Sequence, residues 1–321
     1  MHSEYTNLFK KRVLFVGMPD TAYTTLHALN KAGVNIIAVV APHKGHPVTL
    51  PFAHFANKLG YKVIIPEKNI NEVAIIEKIK NINADIAVVT SYSQRINPEL
   101  LNIPKDGFIN VHPSLLPEYR GPNPYSHVIM NNEAQTGVTI HKMDENFDTG
   151  EILMQDVINI QENDTLGTLF NKLNRLSSQL LIQFLIAYEK NGLPNGFNQK
   201  KLKKPKHYAQ KIVPESDAVT IKWNNSAEYI ERFIRALNPF LPACTTYKGF
   251  SVKIFSAETE KTNIKYNKKD YGVICNIGNT IDVITQNGIL KIRSLQLGNF
   301  FIGDAKDFSS RIKIQVGDKF E

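Results

Sequence analysis

The sequence predicts an α/β N-terminal domain built on a parallel sheet, followed by a small C-terminal β-barrel or sandwich. Three observations carry that prediction. In the first 111 residues short apolar, β-branched runs alternate with amphipathic stretches of helical period, the βαβα order that covers a parallel sheet on both faces. At 321 residues and 42% hydrophobic content, the chain suits two domains and can bury a normal core. Beyond Ala243, short β-rich runs alternate with Gly, Asn and Asp turns.

In chain order, VLFVG at 13–17 reads as a buried strand ending in Gly, followed by a turn and a helix carrying Leu26 and Leu29. The run 34–41 is the next strand, 52–59 a helix, 62–65 a strand and 72–80 a helix with Val73, Ile75, Ile76 and Ile79 on its apolar positions. Two more buried strands follow, IAVVT at 86–90 and GFINV at 107–111. The runs 137–143 and 151–158 bracket the turn DENFDTG, and 166–187 is a long amphipathic helix. The stretch 191–214 has Pro194, Gly196, a lysine run and no apolar period, so it reads as a linker between domains at 1–190 and 215–321. Ser226 is a good N-cap for a helix at 226–237 that Asn238-Pro239 ends, and β-rich runs continue from 243 to residue 321.

The net charge of +8 falls entirely after residue 200. A basic domain joined to a neutral one suits a polyanion such as RNA or a nucleotide, although lysines also serve solubility alone. Only Cys244 and Cys275 occur, which fits a reducing, cytoplasmic setting. The first residues lack the long apolar core of a signal peptide, and no stretch reaches the roughly 20 apolar residues of a membrane span. Neither cysteine lies in a motif, and CxxC, HExxH and Gly-rich phosphate loops are missing, so nothing local supports a metal site.

In parallel α/β sheets, ligands sit beyond the C-terminal strand ends, which places the residues after Thr90 and those from Asn110 to Arg120 at a site. Asn110 and His112 are two apart, so a strand running through both aims them to the same side. Pro113 and Pro117 bound a loop that shows Leu115 and Leu116 with no evident element to cover them, as a pocket wall would. The turn DENFDTG adds Asp144, Glu145 and Asp148. Taken singly, strand-end histidines and turn aspartates are ordinary structural groups, so the residues alone support a polar site with Asn, His and Asp.

The run NVHPSLLPEYRG at 110–121, together with GVTIHKMDENFDTGEIL at 137–153, resembles the formyltransferase family that uses 10-formyltetrahydrofolate. The similarity begins at FVGMPD, 15–20, passes through VTSYSQRINPELL, 89–101, and continues into IKWNNSAEYIERFIRALNP, 221–239. The resemblance implies a Rossmann-like formyltransferase domain, an OB-like C-terminal barrel and Asn110, His112 and Asp148 as catalytic residues. Asn110 and an imidazolium at His112 would face the carbonyl oxygen where negative charge develops, and Asp148 would take the amine's proton. A carboxylate beside His112 is expected to raise its pKa. The folate would lie along Val89, Tyr92, Ser114, Leu115, Leu116, Pro117, Met143 and Asp144, with Arg120 and Lys44 for an anionic acceptor.

Three readings of the function follow from the resemblance. The first is the methionyl amine of initiator tRNA, favoured by the basic C-terminal part. The second is a nucleotide-linked 4-amino sugar, favoured by the short loop 42–52, where Lys44 is the firm cation. The third is a non-catalytic homologue that binds folate or RNA. Phe240 stands where the family usually has Trp and is expected to keep an apolar plug.

Overall fold

The computed structural model describes residues 9–214, 216–299 and 301–321. Residues 1–8, which open the segment weighed above as a targeting signal, lie outside the described residues, as does Glu215 at the head of the expected second domain. The chain forms two compact units, each assembled from separate stretches of sequence.

The first unit takes in residues through Pro124, Gln135–Asn159 and Asn171–Ala209. Its elements begin with β1 (Val13–Gly17), α1 (Pro19–Lys31), β2 (Ile36–Val40), α2 (Thr49–Lys58), β3 (Val63–Ile64), α3 (Val73–Ile82), β4 (Ile86–Thr90), α4 (Pro98–Leu101) and β5 (Phe108–His112). After α5 (Pro124–Met130), which counts with the second unit from Tyr125, come β6 (Gln135–Lys142), β7 (Ile152–Asn159) and α6 (Leu166–Asn191), which counts with the first unit from Asn171. The strands form one sheet in the order β3-β2-β1-β4-β5-β6-β7. The first five run parallel, and β6 and β7 join antiparallel.

Every residue of β1 and β4 is buried, because a central parallel strand is covered on both faces and so needs a continuous apolar run. On one face α3 contributes Ile75, Ile76, Ile79 and Ile82 to a core with Leu14, Val16, Ala87 and Val89. Strand order reverses around β1, the kind of switch point beside which such sheets bind ligands. Near the strand ends one register row, Val16, Val89, Asn110 and His141, crosses β1, β4, β5 and β6.

The second unit comprises Tyr125–Ala134, Ile160–Phe170 and residues from Gln210 onward. It holds α7 (Ala227–Leu237), β8 (Ala243–Tyr247), β9 (Phe250–Glu260), β10 (Ile274–Ile277), β11 (Ile281–Ile284), β12 (Ile289–Leu297), β13 (Phe301–Asp304) and α8 (Ala305–Ile312). The sheet is antiparallel in the order β10-β11-β12-β9-β8, with β13 paired to β12. Residues 318–321 lie between its two outer strands: Glu321 and Thr246 exchange main-chain hydrogen bonds at 3.0 Å, Phe320 donates to the Gly272 carbonyl, and Ile274 donates to that of Asp318. Ser226 caps α7 by accepting from the Tyr229 amide at 3.2 Å, and Ile230, Phe233, Ile234 and Leu237 enter the core with Val252, Ile254, Leu290 and Ile292.

Two expectations change here. The C-terminal stretch is not β-rich throughout, since α8 occupies 305–312 behind an Asp304 N-cap. Its apolar signal is short, with only Ala305 and Phe308 buried. Phe240 is not a plug: it is 58% exposed and meets Phe170 edge-on, with ring centroids 5.6 Å apart.

Candidate functional site

β5 carries Asn110 and His112 in its C-terminal half, and the turn after β6 delivers Asp148 to both. Asp148 Oδ1 is 3.4 Å from Asn110 Nδ2 and 3.6 Å from His112 Nδ1. The carboxylate side chain is 11% exposed and the His112 side chain 6%. The three residues singled out from sequence therefore converge on one oxygen.

The turn that carries Asp148 is held by strict backbone requirements. Asp148 has φ +57°, a left-handed conformation that Asp tolerates because its short side chain bonds locally. Its second oxygen, Oδ2, accepts the Gly121 amide at 3.0 Å. Gly121 has φ +117°, and a Cβ there would come within 2.4 Å of the Ala209 carbonyl oxygen, so only glycine lets this amide reach the carboxylate. Asp144 turns both oxygens onto Thr149 Oγ1 and accepts the Asn146 amide, which closes the turn locally.

Burial opposes charge at both titratable members, with different outcomes. For Asp148, burial pushes the carboxyl up, but His112, His141 and the Gly121 amide outweigh it and hold it well below the usual carboxylate range. For His112, burial is the largest influence and takes it below its ordinary 6.5, against the pull of Asp148 and the Tyr119 carbonyl. The expected rise is thus corrected: one carboxylate at 3.6 Å does not offset the loss of water around a ring this deep. His112 Nε2 donates to the Tyr119 carbonyl at 3.0 Å, which orients the ring and leaves Nδ1 facing Asp148.

Two side chains of the cluster carry no mark in the sequence reading. His141, 2% exposed, sits opposite Asn110 in the antiparallel register and points to the same side. Its Nδ1 donates to the Lys142 carbonyl at 3.0 Å, so Nε2 accepts the Asn110 amide at 3.2 Å and lies 3.5 Å from Asp148 Oδ1. Once Asn110 is placed, its cross-strand partner is the signal that identifies His141. Gln199, 3% exposed, lies in the stretch read as a linker; its Nε2 donates to the carbonyls of Asp148 at 3.0 Å and Gly150 at 2.7 Å. No local pattern points to it.

The remaining sequence-derived positions fall into groups. Val89 is buried beside Asn110 in the register row; Tyr92 donates to Gln94 Oε1 at 3.2 Å and burial raises its phenol; Met143 bonds through its amide to the Phe108 carbonyl at 2.8 Å. The 114–117 loop is not uncovered, as expected above, because β6 covers it. Ser114 and Leu116 are buried, the Leu116 amide donates to Thr139 Oγ1, and Leu115 packs over Gly137, where a Cβ would come within 2.6 Å of its Cδ2. Pro117 follows in the same loop, half-buried. Arg120 donates from Nε at 3.2 Å and Nη2 at 2.6 Å to Gln199 Oε1, which links it to the Asp148 turn. Lys44 stands apart on the loop after β2, paired with Glu67 at 3.3 Å with both side chains about 70% exposed.

A buried, ionised carboxylate, an amide donor and a histidine whose charge depends on its surroundings form a site able to move a proton beside a developing negative charge. The chain matches the Formyl transferase family model over residues 10–185 and the Formyl transferase, C-terminal domain model over residues 215–312. It is 36% identical over 314 residues to the methionyl-tRNA formyltransferase of Caldicellulosiruptor saccharolyticus, covering 95% of this chain and 98% of that one. With the methionyl-tRNA formyltransferase of Halothermothrix orenii it shares 34% over 320 residues, 96% and 99% of the two chains. Among solved structures, a sugar 3N-formyl transferase crystallised with dTDP and 5-N-formyl-THF superposes with a TM-score of 0.67 at 21% identity, over 91% of this chain and 99% of that one. At that identity the likeness is one of fold.

Proposed function

The chain belongs to the formyl transferase family, and from that premise we propose that it transfers a formyl group from 10-formyltetrahydrofolate to the amino group of methionyl initiator tRNA. The observation that carries the reading is the convergence of Asn110 and His112 on Asp148 Oδ1, with the His112 and Asp148 side chains nearly sealed from solvent. Near-complete coverage by methionyl-tRNA formyltransferases supports the acceptor, and the basic C-terminal part agrees with it. A role in translation supports a cytoplasmic location.

The folate supplies the formyl carbonyl and, in N10, the nitrogen that leaves. Asn110 Nδ2 is the donor for the carbonyl oxygen; its loose 3.4 Å contact to Asp148 is the one such an oxygen would replace. Asp148, ionised, takes the proton that the attacking amine loses. His112 Nδ1 faces that same carboxylate and can take this proton on from it as negative charge builds nearby, so burial sets the ring neutral at rest and the relay brings it into the charged form beside a carboxylate that is ionised again. The proton finally goes to N10, which leaves as an amine. Val89, Tyr92, Met143, Asp144 and the 114–117 loop are proposed to border the folate, and Arg120 and Lys44 to meet phosphates of the acceptor.

The test offers the chain 10-formyltetrahydrofolate with charged initiator tRNA in one vessel and a nucleotide-linked 4-amino sugar in another, and follows product by mass spectrometry. Formylmethionyl-tRNA is expected, with kcat/KM falling steeply as salt rises because several phosphates are neutralised. Formylation of the sugar alone would overturn the acceptor assignment.

A further inference from the structure

Gln199 is the side chain through which Arg120 and the Asp148 turn are joined, and it is nearly sealed from solvent at 3% exposure. A glutamine amide has two hydrogens to donate and two lone pairs to accept with, and all four are used here. The hydrogens go to the carbonyls of Asp148 and Gly150, and the lone pairs receive Nε and Nη2 of Arg120. Neither end is generic. One end grips the main chain of the residue that carries the carboxylate, in a left-handed conformation that its neighbours must hold in place. Gly150 packs so closely that a Cβ would come within 1.8 Å of the Lys142 carbonyl oxygen, so the turn has little freedom to adapt if the amide is lost. The other end takes two of the five guanidinium donors and so fixes the plane in which the rest point.

We infer that Gln199 is a positioning residue for formyl transfer: its carboxamide holds the Asp148 main chain in the register needed for proton transfer and, with its oxygen, aims the Arg120 guanidinium at the acceptor. The segment around it supports this role. Phe197 and Ile152 exchange main-chain hydrogen bonds, the Tyr119 amide donates to the His207 carbonyl, and the Ala209 amide donates to that of Arg120. The 197–209 stretch is thereby laced along the site from its end nearest β7 to Arg120, and the Gln199 side chain reaches both the Asp148 turn and Arg120.

The two ends can be separated by substitution. In Gln199→Glu an ionised carboxylate still accepts from Arg120 but can no longer donate to the turn. In Gln199→Leu both links are lost at similar volume. Measured per folded molecule, Gln199→Glu should lower kcat about 10- to 100-fold with acceptor KM changed by less than about threefold, because a small misplacement of a reacting group is costly. Gln199→Leu should lower kcat to a similar degree and raise acceptor KM by about tenfold as well. This inference rests on the transferase function proposed above, so a second readout works without turnover. Hydrogen exchange at the Gly121 amide, which Asp148 Oδ2 holds, should quicken about tenfold or more in Gln199→Glu and stay within about threefold of the parent in Arg120→Met. If Gln199→Leu fails to fold, Gln199→Glu alone decides. Kinetic constants within about twofold of the parent, or unchanged exchange at Gly121, would overturn the assignment.

Discussion

Replacing Asp148 with Asn removes the charge, and with it the acceptor oxygen facing Asn110, while keeping the side chain's size. Asparagine accepts the left-handed backbone at this position as readily as aspartate, and its side-chain oxygen can still receive the Gly121 amide. What disappears is the ionised carboxylate that takes the amine's proton, an effect worth about 100- to 10,000-fold in rate. The same charge lies 3.6 Å from His112 Nδ1. At an effective dielectric of about 20, a unit pair at that distance attracts by about 4 to 5 kcal/mol, which is the help Asp148 gives His112 in gaining a proton. Loss of either contribution suffices to slow the chemistry by about a thousandfold, and the two act in the same step, so they do not simply multiply. Asp148→Ala differs in kind: alanine at φ +57° costs about 1 to 2 kcal/mol and leaves the Gly121 amide unpaired for about 1 to 3 more. Single-turnover formylation read by mass spectrometry, beside urea unfolding of both variants, separates the effects. The expected result is an Asn variant near parental stability with kcat down about 1,000-fold, and an Ala variant equally slow but less stable. An Asn variant retaining more than about a tenth of parental kcat would refute the assignment of Asp148 as the base.

Three further outcomes follow from the same geometry. Gly121→Ala sets a Cβ 2.4 Å from the Ala209 carbonyl oxygen at a φ that L residues avoid, and should cost about 2 to 4 kcal/mol in chemical denaturation while slowing formyl transfer. Acid stability follows the sign of each shift. Asp148 is lowered when folded, so its contribution is present above the unfolded carboxylate pKa and is lost as pH falls below about 4. His112 is also lowered, so the unfolded chain binds its proton more tightly and stability declines as pH drops below 6.5. Melting temperature followed from pH 8 to pH 2 should therefore fall less steeply below pH 6.5 in His112→Gln, and below about pH 4 in Asp148→Asn, than in the parent. Ser226→Ala removes the hydrogen bond to the Tyr229 amide and should destabilise α7 by about 1 kcal/mol in urea titration, leaving kcat unaltered.

Legibility in the sequence tracked how local the physics was. β1 and β4 are readable because a strand covered on both faces has no alternative to an unbroken apolar run, and α3 because its isoleucines repeat at helical spacing. The sides taken by Asn110 and His112 follow from strand alternation, and the family resemblance supplied Asp148 as their partner. His141 needed the pairing of β5 with β6, a register that alternation alone does not assign. Gln199 was out of reach for a different reason: it acts across 51 residues of chain from a segment whose lysines and prolines speak only of solvent. The charge state of His112 was misread because a neighbouring carboxylate is visible in sequence and depth is not.

The way residues 318–321 close the C-terminal sheet also bears on how the molecule comes into being. A chain leaves the ribosome from its N-terminus, and domains fold as their parts emerge. The first unit has all its strands once β7 is made and its last stretch by Ala209, so it can settle while more than a hundred residues are still being added. The second unit has no such head start. β10, and β8 beyond the stretch at Cys244 that residues 220–221 cover, each keep an unpaired length of edge, competent to join a neighbouring nascent chain, until residues 318–321 occupy it. On a crowded polysome the second unit is therefore open to misassembly for longer than the first, until residues 318–321 have joined its sheet.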